Sequence, residues 1–360
     1  MSKKRIGILT SGGDCAGLNA IIRAVVHRAD HLGWETYGLL NGTHGLLKDP
    51  PAYKHLKPID FDGTVMRLGG TILGTTNKGN PFDFPMEDGT HKDMSGKIIN
   101  GFKELGLDAV IGIGGDGSMA ILRKLAQQGG IKMVGIPKTI DNDLGMTETS
   151  VGFDTAVAVA TEAMDRLQPT AASHDRVMIL EVMGRDAGHI ALNSGIAGGA
   201  DIILIPEVPY SIDALAKKIK SVKDSGRNFA LVVVSEAVKT PDGESLEVEY
   251  QDGARRYGGI GHYLGDKIAA ATGSETRVTV LGHVQRGCEP THSDRVLAAA
   301  FGVKAVDLIA EGKFDRMVAW SDRQVVDVAI EDAIKAYQQV DLNSVMVHTA
   351  RALGISLGDS

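Results

Sequence analysis

Short apolar runs that end in glycine loops are the feature that most limits the fold of this chain. Residues 5–10 and 108–113 predict buried strands, and each is followed by a glycine-rich loop and by apolar residues at helical spacing, over 18–30 and 118–126. Further apolar runs predict strands over 133–136, 176–182, 202–205, 229–235 and 278–281. β-Branched runs that alternate with helices are typical of parallel sheets covered by helices on both faces. The sequence therefore predicts an α/β fold with mainly parallel sheets.

Length and composition predict a soluble, two-domain protein. A chain of 360 residues with 43% hydrophobic residues can bury two cores of ordinary size. Its apolar runs stay well below the roughly 20 residues of a membrane span, and the first residues lead into a strand rather than a signal peptide. Two cysteines make a disulfide framework improbable, so we expect a reducing, cytoplasmic setting. We place the domain change near residues 149–153.

The net charge of −7 argues against nucleic acid as a partner, because proteins that bind the phosphate backbone usually carry a basic face. We therefore expect neither a nucleic-acid partner nor a membrane partner. Small phosphorylated molecules remain the class of ligand that the glycine loops favour.

Two glycine loops, at residues 12–13 and 114–115, favour phosphate binding. Glycine lets the backbone approach a phosphate closely, and the following helix N-terminus attracts anions. A tight turn without a ligand is the alternative for one such pair, and two pairs make it weaker. Residues 112–117 also fit the dinucleotide pattern G-x-G-x-x-G, but Asp116 would then face a pyrophosphate without a metal. With Mg²⁺ bound, Asp116 is well placed, since one or two carboxylates plus phosphate oxygens usually hold this ion.

The segment 138–143 (Lys-Thr-Ile-Asp-Asn-Asp) predicts a reactive turn after a strand. Asp141 could accept a proton from an acceptor hydroxyl, while Thr139 and Lys138 face a transferring phosphoryl group. Asp and Asn are also ordinary turn residues, so a purely structural turn is the alternative. The two readings differ in whether Asp141 is needed for turnover.

Four arginines stand beside predicted strands, where bidentate contact with a phosphate is favourable. A single arginine of this kind is more often part of a surface ion pair. Four of them together with His283 favour a phosphorylated acceptor: Arg176, Arg185, Arg277 and Arg286.

Over nearly its whole length the chain resembles the 6-phosphofructokinases of the phosphofructokinase A family, in particular their mixed ATP- and pyrophosphate-using group. The matching segments are 9–14, 69–71, 114–118, 137–143, 181–185, Glu236 and 282–287. The resemblance implies two similar Rossmann-like domains with mainly parallel sheets and the active site in the cleft between them. It implies a donor-binding domain of residues 1–150 plus roughly 285–335, and a fructose 6-phosphate-binding domain of 151–284 plus roughly 336–360. A homodimer or homotetramer is expected.

By this resemblance, Asp141 deprotonates the 1-hydroxyl of fructose 6-phosphate, and Thr139 and Arg185 stabilise the phosphoryl group in transit. Asp116 serves Mg²⁺. The implied sugar-phosphate contacts are Thr139, Ile140, Asp141, Arg176, Met183, Gly184, Arg185, Glu236, Arg277, His283, Val284, Gln285 and Arg286. Arg176 and Arg277 are the pair that reaches in from a neighbouring subunit. The implied donor contacts are Gly13, Asn77, Lys78, Gly115, Asp116, Gly117 and Ser118.

Two positions point to different phosphoryl donors. Pyrophosphate-using relatives share Lys138 but typically have aspartate where this chain has Gly117. An aspartate there would repel the α-phosphate of ATP by about 1–4 kcal/mol at 4 Å, whereas lysine suits either donor. We therefore expect ATP as co-substrate, with a pyrophosphate-dependent phosphotransferase as the alternative. Asn77 and Thr43 also depart from familiar ATP users, which have an arginine and an aromatic residue near the adenine.

Two further function classes fit the residues less well. The loop 114–118 resembles that of NAD and lipid kinases, but those enzymes lack an acceptor set such as Met-Gly-Arg and His-x-Gln-Arg-Gly. A non-catalytic sugar-phosphate sensor would keep Arg185 and His283 but could lose Asp141 or Asp116. Because both carboxylates are present, the sequence favours catalysis.

Overall fold

The computed structural model describes residues 3–249 and 255–359 and divides into two compact units. The first unit comprises Met1–Ile140, Leu144–Thr155 and Arg286–Tyr337. The second comprises Asp141–Asp143, Ala156–Gln285 and Gln338–Ser360. Within the described parts of the chain, no helix combines the length and apolarity that crossing a bilayer requires.

The first unit is built on a seven-stranded sheet. Its strands are β1 (Arg5–Thr10), β2 (Glu35–Leu39), β3 (Tyr53–Leu56), β6 (Ala109–Gly114), β7 (Met133–Pro137), β14 (Arg316–Ser321) and β15 (Gln324–Ala329), and a separate hairpin pairs β4 (Phe84–Pro85) with β5 (His91–Lys92). The spatial order is β15-β14-β7-β6-β1-β2-β3, with β3 and β15 as antiparallel edge strands. The five central strands are parallel, and Ile8 of β1 stands opposite Ile111 of β6.

Helices cover this sheet because its central strands are apolar on both faces. They are α1 (Leu18–His31), α2 (Ser95–Glu104), α3 (Asp116–Gly129), α8 (His292–Ala310) and α9 (Ile330–Lys335), and α4 (Phe153–Ser173) begins in this unit and continues into the second. α1 packs against α8, and α3 packs against α9. Leu9, Met119 and Leu122 lie in the buried core that joins sheet and helices.

The second unit has a smaller sheet of four parallel strands in the order β13-β8-β10-β9. Its strands are β8 (Val177–Val182), β9 (Ile202–Leu204), β10 (Ala230–Ser235) and β13 (Thr276–Val280), beside the antiparallel pair β11 (Glu247–Glu249) and β12 (Arg255–Tyr257). Its helices are α5 (His189–Ala197), α6 (Ile212–Asp224), α7 (Ile260–Thr272) and α10 (Val345–Ala352). Ile179, Val232 and Leu264 belong to its core.

The predicted α/β class with mainly parallel sheets is confirmed, and the differences lie at element ends and in elements that the sequence did not predict. α3 begins at Asp116 rather than near residue 118, so the carboxylate occupies the first turn of the helix. β13 begins at Thr276, earlier than predicted. Residues 77–97, for which the sequence predicted no helix or strand, contain the β4–β5 hairpin and the start of α2.

Candidate functional site

In the first unit, the strand order of the sheet changes direction between β1 and β6. From β1 the chain moves to β2 and β3 on one side, and later returns to β6 and β7 on the other. Ligands of open parallel sheets gather at the carboxyl ends of the strands at such a switch point. The loops that follow β1 and β6 carry Gly12, Gly13 and Gly115, so both predicted phosphate loops lie at this edge.

The loop after β1 is a tight backbone cradle. Gly12 has a φ of +85°, and a Cβ there would lie 2.8 Å from Oγ of Ser118. Lys138 is buried, and its ammonium group donates to the carbonyl of Gly13. Nη1 of Arg286 donates to the carbonyl of Asp14 at 3.0 Å. Two cations are therefore held at the loop, as an anion site requires.

The second loop leads directly into α3. Gly115 caps this helix and Asp116 is its first residue, so the backbone N–H groups of the first turn and the helix dipole face the same edge. A Cβ at Gly117 would meet no atom within 4 Å. The space beside this position is therefore open to a ligand or to a larger side chain.

The described residues contain no group of three or more His, Cys, Asp or Glu side chains arranged to hold a metal ion. Asp116 at the phosphate loops instead fits an ion held jointly by a carboxylate and by a ligand's phosphate oxygens, which is the usual arrangement for Mg²⁺.

The reactive turn is held by hydrogen bonds on both sides. Oγ of Ser150 donates to the carbonyl of Thr139 at 2.7 Å, and the N–H of Gln338 donates to the carbonyl of Asp143 at 2.8 Å. Asn142 has a φ of +54°, in the left-handed region that asparagine tolerates. Asp141 is only 6% exposed. The turn thus presents a buried carboxylate on a fixed backbone.

In the second unit, three neighbouring parallel strands end at one edge. β8 lies between β10 and β13, and Val182 of β8 stands opposite Ser235 of β10. The residues that directly follow these strands therefore come together, although they are far apart in the sequence: Met183, Gly184, Arg185, Glu236 and His283. All five were predicted as sugar-phosphate contacts.

Glu236 braces the loop that follows β8. Its Oε1 accepts hydrogen bonds from the N–H groups of Gly184 at 3.3 Å and Arg185 at 3.2 Å. Burial raises the pKa of Glu236 to about 7, the negative charge of Asp141 adds to the rise, and the two N–H donors oppose it. This carboxyl group therefore titrates near neutral pH.

Gln285 supports the same loop from the other side. It is fully buried, its Oε1 accepts the N–H of Met183 at 2.8 Å, and its Nε2 donates to the carbonyl of Ala156 at 3.4 Å. The enclosed side chain of Gln285 supports the loop that follows β8, and the substrate contact implied for Gln285 stays a prediction. Ile140 is likewise buried, whereas Val284 is 66% exposed.

The four arginines lie at different places in the two units. Arg176 precedes β8 and Arg277 lies near the start of β13, and both pair with Glu275, at 2.9 Å for Arg176. Six residues of β8, about 20 Å at 3.3 Å per residue, separate this amino-terminal edge from Arg185. Arg286 belongs to the first unit. Strand-end position alone does not tell which end of a sheet a side chain occupies.

Sequence reasoning missed the segment that borders the first glycine loop. The N–H of Gly12 donates to the carbonyl of Thr76 at 2.9 Å, and Oγ1 of Thr75 donates to the carbonyl of Gly12 at 2.7 Å. Asn77 and Lys78 follow directly and are exposed, so the two predicted donor contacts lie next to the loop. Thr75 and Thr76 belong to no periodic pattern and carry no charge. Only the adjacent Asn77 and Lys78 could have indicated that this segment borders the loop.

Comparison with known proteins settles the family. A family model described as Phosphofructokinase matches residues 5–309. The chain belongs to the phosphofructokinase family. It is 62% identical over 357 residues to ATP-dependent 6-phosphofructokinase 1 of Synechocystis sp., covering 99% of both chains. It is 61% identical over 360 residues to ATP-dependent 6-phosphofructokinase 1 of Nostoc sp., covering 100% of both.

Solved structures of the family are similar to this fold. Phosphofructokinase from Pichia pastoris matches with a TM-score of 0.81 and 30% identity over 93% of this chain, which spans only 36% of that longer chain. A pyrophosphate-dependent phosphofructokinase from Marinobacter aquaeolei matches with a TM-score of 0.78 over 99% of this chain and 92% of its own. At 22% identity, the second match bears on the fold alone.

Proposed function

We propose that this protein is a cytoplasmic, ATP-dependent 6-phosphofructokinase of glycolysis. It transfers the terminal phosphoryl group of ATP to the 1-hydroxyl of fructose 6-phosphate and yields fructose 1,6-bisphosphate. The observation that carries the proposal is the meeting of Met183–Arg185, Glu236 and His283 at one sheet edge, because an acceptor set of this kind distinguishes sugar-phosphate kinases from NAD and lipid kinases. The relatives from Synechocystis sp. and Nostoc sp., both named as ATP-dependent enzymes, support the same conclusion.

Each unit contributes chemistry that suits this reaction. In the second unit, the buried Asp141 takes the proton of the acceptor hydroxyl, and Arg185 meets the charge on the transferring group. In the first unit, Thr139 and the cation of Lys138 face the phosphoryl group in transit, and Arg286 contacts the sugar phosphate. Asp116 would hold Mg²⁺ together with phosphate oxygens, and the bound ion would neutralise negative charge on the donor.

The choice of donor rests on Gly117. Open space beside this residue leaves room for the α-phosphate of a nucleotide, whereas Lys138 at the Gly13 carbonyl can meet the terminal phosphates of either donor. No positive φ is required of Gly117, so an aspartate can replace it without backbone strain. Gly117→Asp is therefore a clean probe of donor choice.

The test measures fructose 1,6-bisphosphate formation with Mg²⁺ and either ATP or pyrophosphate. We expect turnover with ATP in the unmodified enzyme and a far larger loss of ATP use than of any pyrophosphate use in Gly117→Asp. Gly96→Asp, in the first turn of α2, controls for the added charge, because a Cβ there would also meet no atom within 4 Å and no positive φ is required. Faster turnover with pyrophosphate than with ATP in the unmodified enzyme would refute the assignment of the donor.

We also propose a homodimer or homotetramer in which Arg176 and Arg277 serve a neighbouring subunit. The support is their place at the amino-terminal edge of the second sheet, one strand length from Arg185. Mixing inactive Asp141→Asn subunits with inactive Arg277→Ala subunits should restore activity, because a hybrid then contains intact sites. Full activity of a monomer in sedimentation would refute this arrangement.

A further inference from the structure

Two side chains that the sequence did not single out meet at the loop that follows β8. Oη of Tyr257, the last residue of β12, donates to Oδ1 of Asp186 at 2.7 Å. The other carboxylate oxygen of Asp186 lies 4.0 Å from Nε of Arg185. Asp186 therefore joins a tyrosine of the β11–β12 pair to the arginine that the proposed reaction uses, with one oxygen for each partner.

Arg185 and Asp186 occupy the two central positions of a tight turn. The N–H of Ala187 donates to the carbonyl of Gly184 at 3.0 Å, and Arg185 has a φ of +49°. An arginine adopts this left-handed conformation only where its surroundings hold it, because its Cβ crowds the backbone there. Glu236 accepts the N–H of Arg185 at 3.2 Å and so supports the backbone of the turn. Fixing the direction of the long side chain requires a contact that the side chain itself makes.

Tyr257 is held on rigid elements of the second unit. It ends β12, and α7 begins three residues later. The N–H of Gly261, in the first turn of α7, donates to Oε2 of the buried Glu181 in β8 at 2.8 Å. The N–H of Gly258 donates to the carbonyl of Leu246 at 3.1 Å, which closes the base of the β11–β12 pair. The tyrosine hydroxyl therefore has a fixed place relative to the strand that leads into the turn.

We propose that Tyr257 is a positioning residue, which through Asp186 directs the guanidinium of Arg185 toward the phosphoryl group in transit. A guanidinium has five N–H donors, so Nε can pair with a carboxylate while the terminal nitrogens serve phosphoryl oxygens. A direction that is set in advance removes ordering that the reaction would otherwise require. The hydrogen bond to Asp186 raises the pKa of Tyr257 to about 12, so the phenol keeps its proton at neutral pH. The inference rests on the proposed function, because it takes Arg185 as the group that meets the transferring charge.

The competing explanation is that this contact only anchors the β11–β12 pair to the loop. Tyr257→Phe removes the hydroxyl and keeps the ring. Asp186→Asn separates the two roles, because the amide can still bond the tyrosine hydroxyl whereas the negative charge beside Arg185 is lost. Tyr263→Phe is the matched control: it removes a hydroxyl from a half-buried tyrosine of α7 in the same unit, whose ring centroid lies 5.4 Å from Nζ of Lys267.

The experiment measures kcat and the KM for fructose 6-phosphate at saturating ATP and Mg²⁺, together with urea unfolding, for the unmodified enzyme and each variant. In Tyr257→Phe we expect kcat to fall about 3- to 10-fold, as loss of one hydrogen bond to a charged group can cause, and the KM to change less than about twofold. Asp186→Asn should lower kcat at least as much and leave unfolding unchanged. Tyr263→Phe should keep both kinetic constants.

A double-mutant cycle tests whether Tyr257 acts through Asp186. If it does, the kcat of the double variant Tyr257→Phe with Asp186→Ala equals that of Asp186→Ala alone within about twofold. Losses that multiply, or an unchanged kcat in either Tyr257→Phe or Asp186→Asn, would overturn the inference while leaving the activity of the unmodified enzyme intact.

Failure of the proposed function looks different. The unmodified enzyme would then form no fructose 1,6-bisphosphate with ATP or with pyrophosphate, which overturns both conclusions. Turnover with pyrophosphate alone would overturn only the assignment of the donor, because Arg185 meets the same phosphoryl group with either one. The same cycle, run with pyrophosphate, then decides the role of Tyr257.

Discussion

Replacing Glu236 by glutamine should stabilise the protein at alkaline pH and not at acidic pH. Glu236 is partly buried behind the loop that follows β8, and burial raises the pKa of its carboxyl group to about 7 from an ordinary value of 4.5. Glutamine has the same size, and its amide oxygen can accept the N–H groups of Gly184 and Arg185 that Oε1 of Glu236 accepts. The substitution therefore removes the ionisable group and keeps the hydrogen bonds.

The magnitude follows from the two pKa values. Below pH 4.5 the carboxyl group is protonated in the folded and the unfolded chain, so its titration does not affect stability. Between 4.5 and 7 the unfolded chain loses the proton that the folded protein keeps, and stability falls by about 1.36 kcal/mol per pH unit. Above pH 7 the accumulated cost is about 3 kcal/mol, and Glu236→Gln avoids it.

Urea unfolding from pH 5 to pH 8 tests this. We expect the variant to exceed the unmodified protein by less than about 1 kcal/mol at pH 5 and by about 3 kcal/mol at pH 8. Glu244→Gln, at an exposed glutamate of the same unit, controls for the loss of one negative charge. A stability difference that is independent of pH, or one that grows toward acid, would refute the argument. Because Glu236 is also a proposed acceptor contact, the stabilised variant should bind fructose 6-phosphate more weakly at pH 8.

Three further outcomes follow from other contacts. Asp141→Asn should reduce turnover about 10²- to 10⁴-fold while calorimetry still detects fructose 6-phosphate binding, and near-normal turnover would remove Asp141 from the reaction. Gln285→Leu should raise the KM for fructose 6-phosphate about tenfold or more and leave the KM for ATP unchanged, with Gln285→Glu recovering part of the loss; equal changes in both KM values would indicate general misfolding. Asp294→Ala should cost about 2–5 kcal/mol in urea unfolding, because the N–H groups of Gly152 and Thr155, each 2.9 Å from its carboxylate, lose their buried acceptor, and a cost below about 1 kcal/mol would contradict this.

The sequence predicted an element best where its local residue pattern and its burial in the folded protein indicate the same structure. β1 was predicted over the residues it occupies, because a continuous apolar run bounded by charge and glycine can only be a buried strand here. The edge strands β3 and β15 were not predicted, since half-exposed edge strands carry mixed polarity. The β4–β5 hairpin was missed for the same reason: its two-residue strands are held by pairing and by Phe82 and Phe84, not by an alternating pattern.

Site residues divide according to the kind of information that identifies them. Gly12 and Asp116 follow apolar runs directly, so the rule that ligands gather at strand ends was sufficient to find them. Gln285 could be named only from family resemblance, and its burial behind Met183 became visible only in three dimensions.

The arginines of the second unit lie at two different ends of its sheet. At the carboxyl edge, Arg185 follows β8 and remains exposed, whereas at the amino edge Arg176 and Arg277 share Glu275. The hydrogen bond from Arg176 lowers the pKa of Glu275, so this carboxylate stays charged and occupies both arginines in the single chain. A phosphate that binds the pair would compete with Glu275, whose side chain is 45% exposed. Each arginine would then have an anionic partner with or without phosphate. Phosphate binding at this edge would be a competition with Glu275 rather than the filling of an empty site.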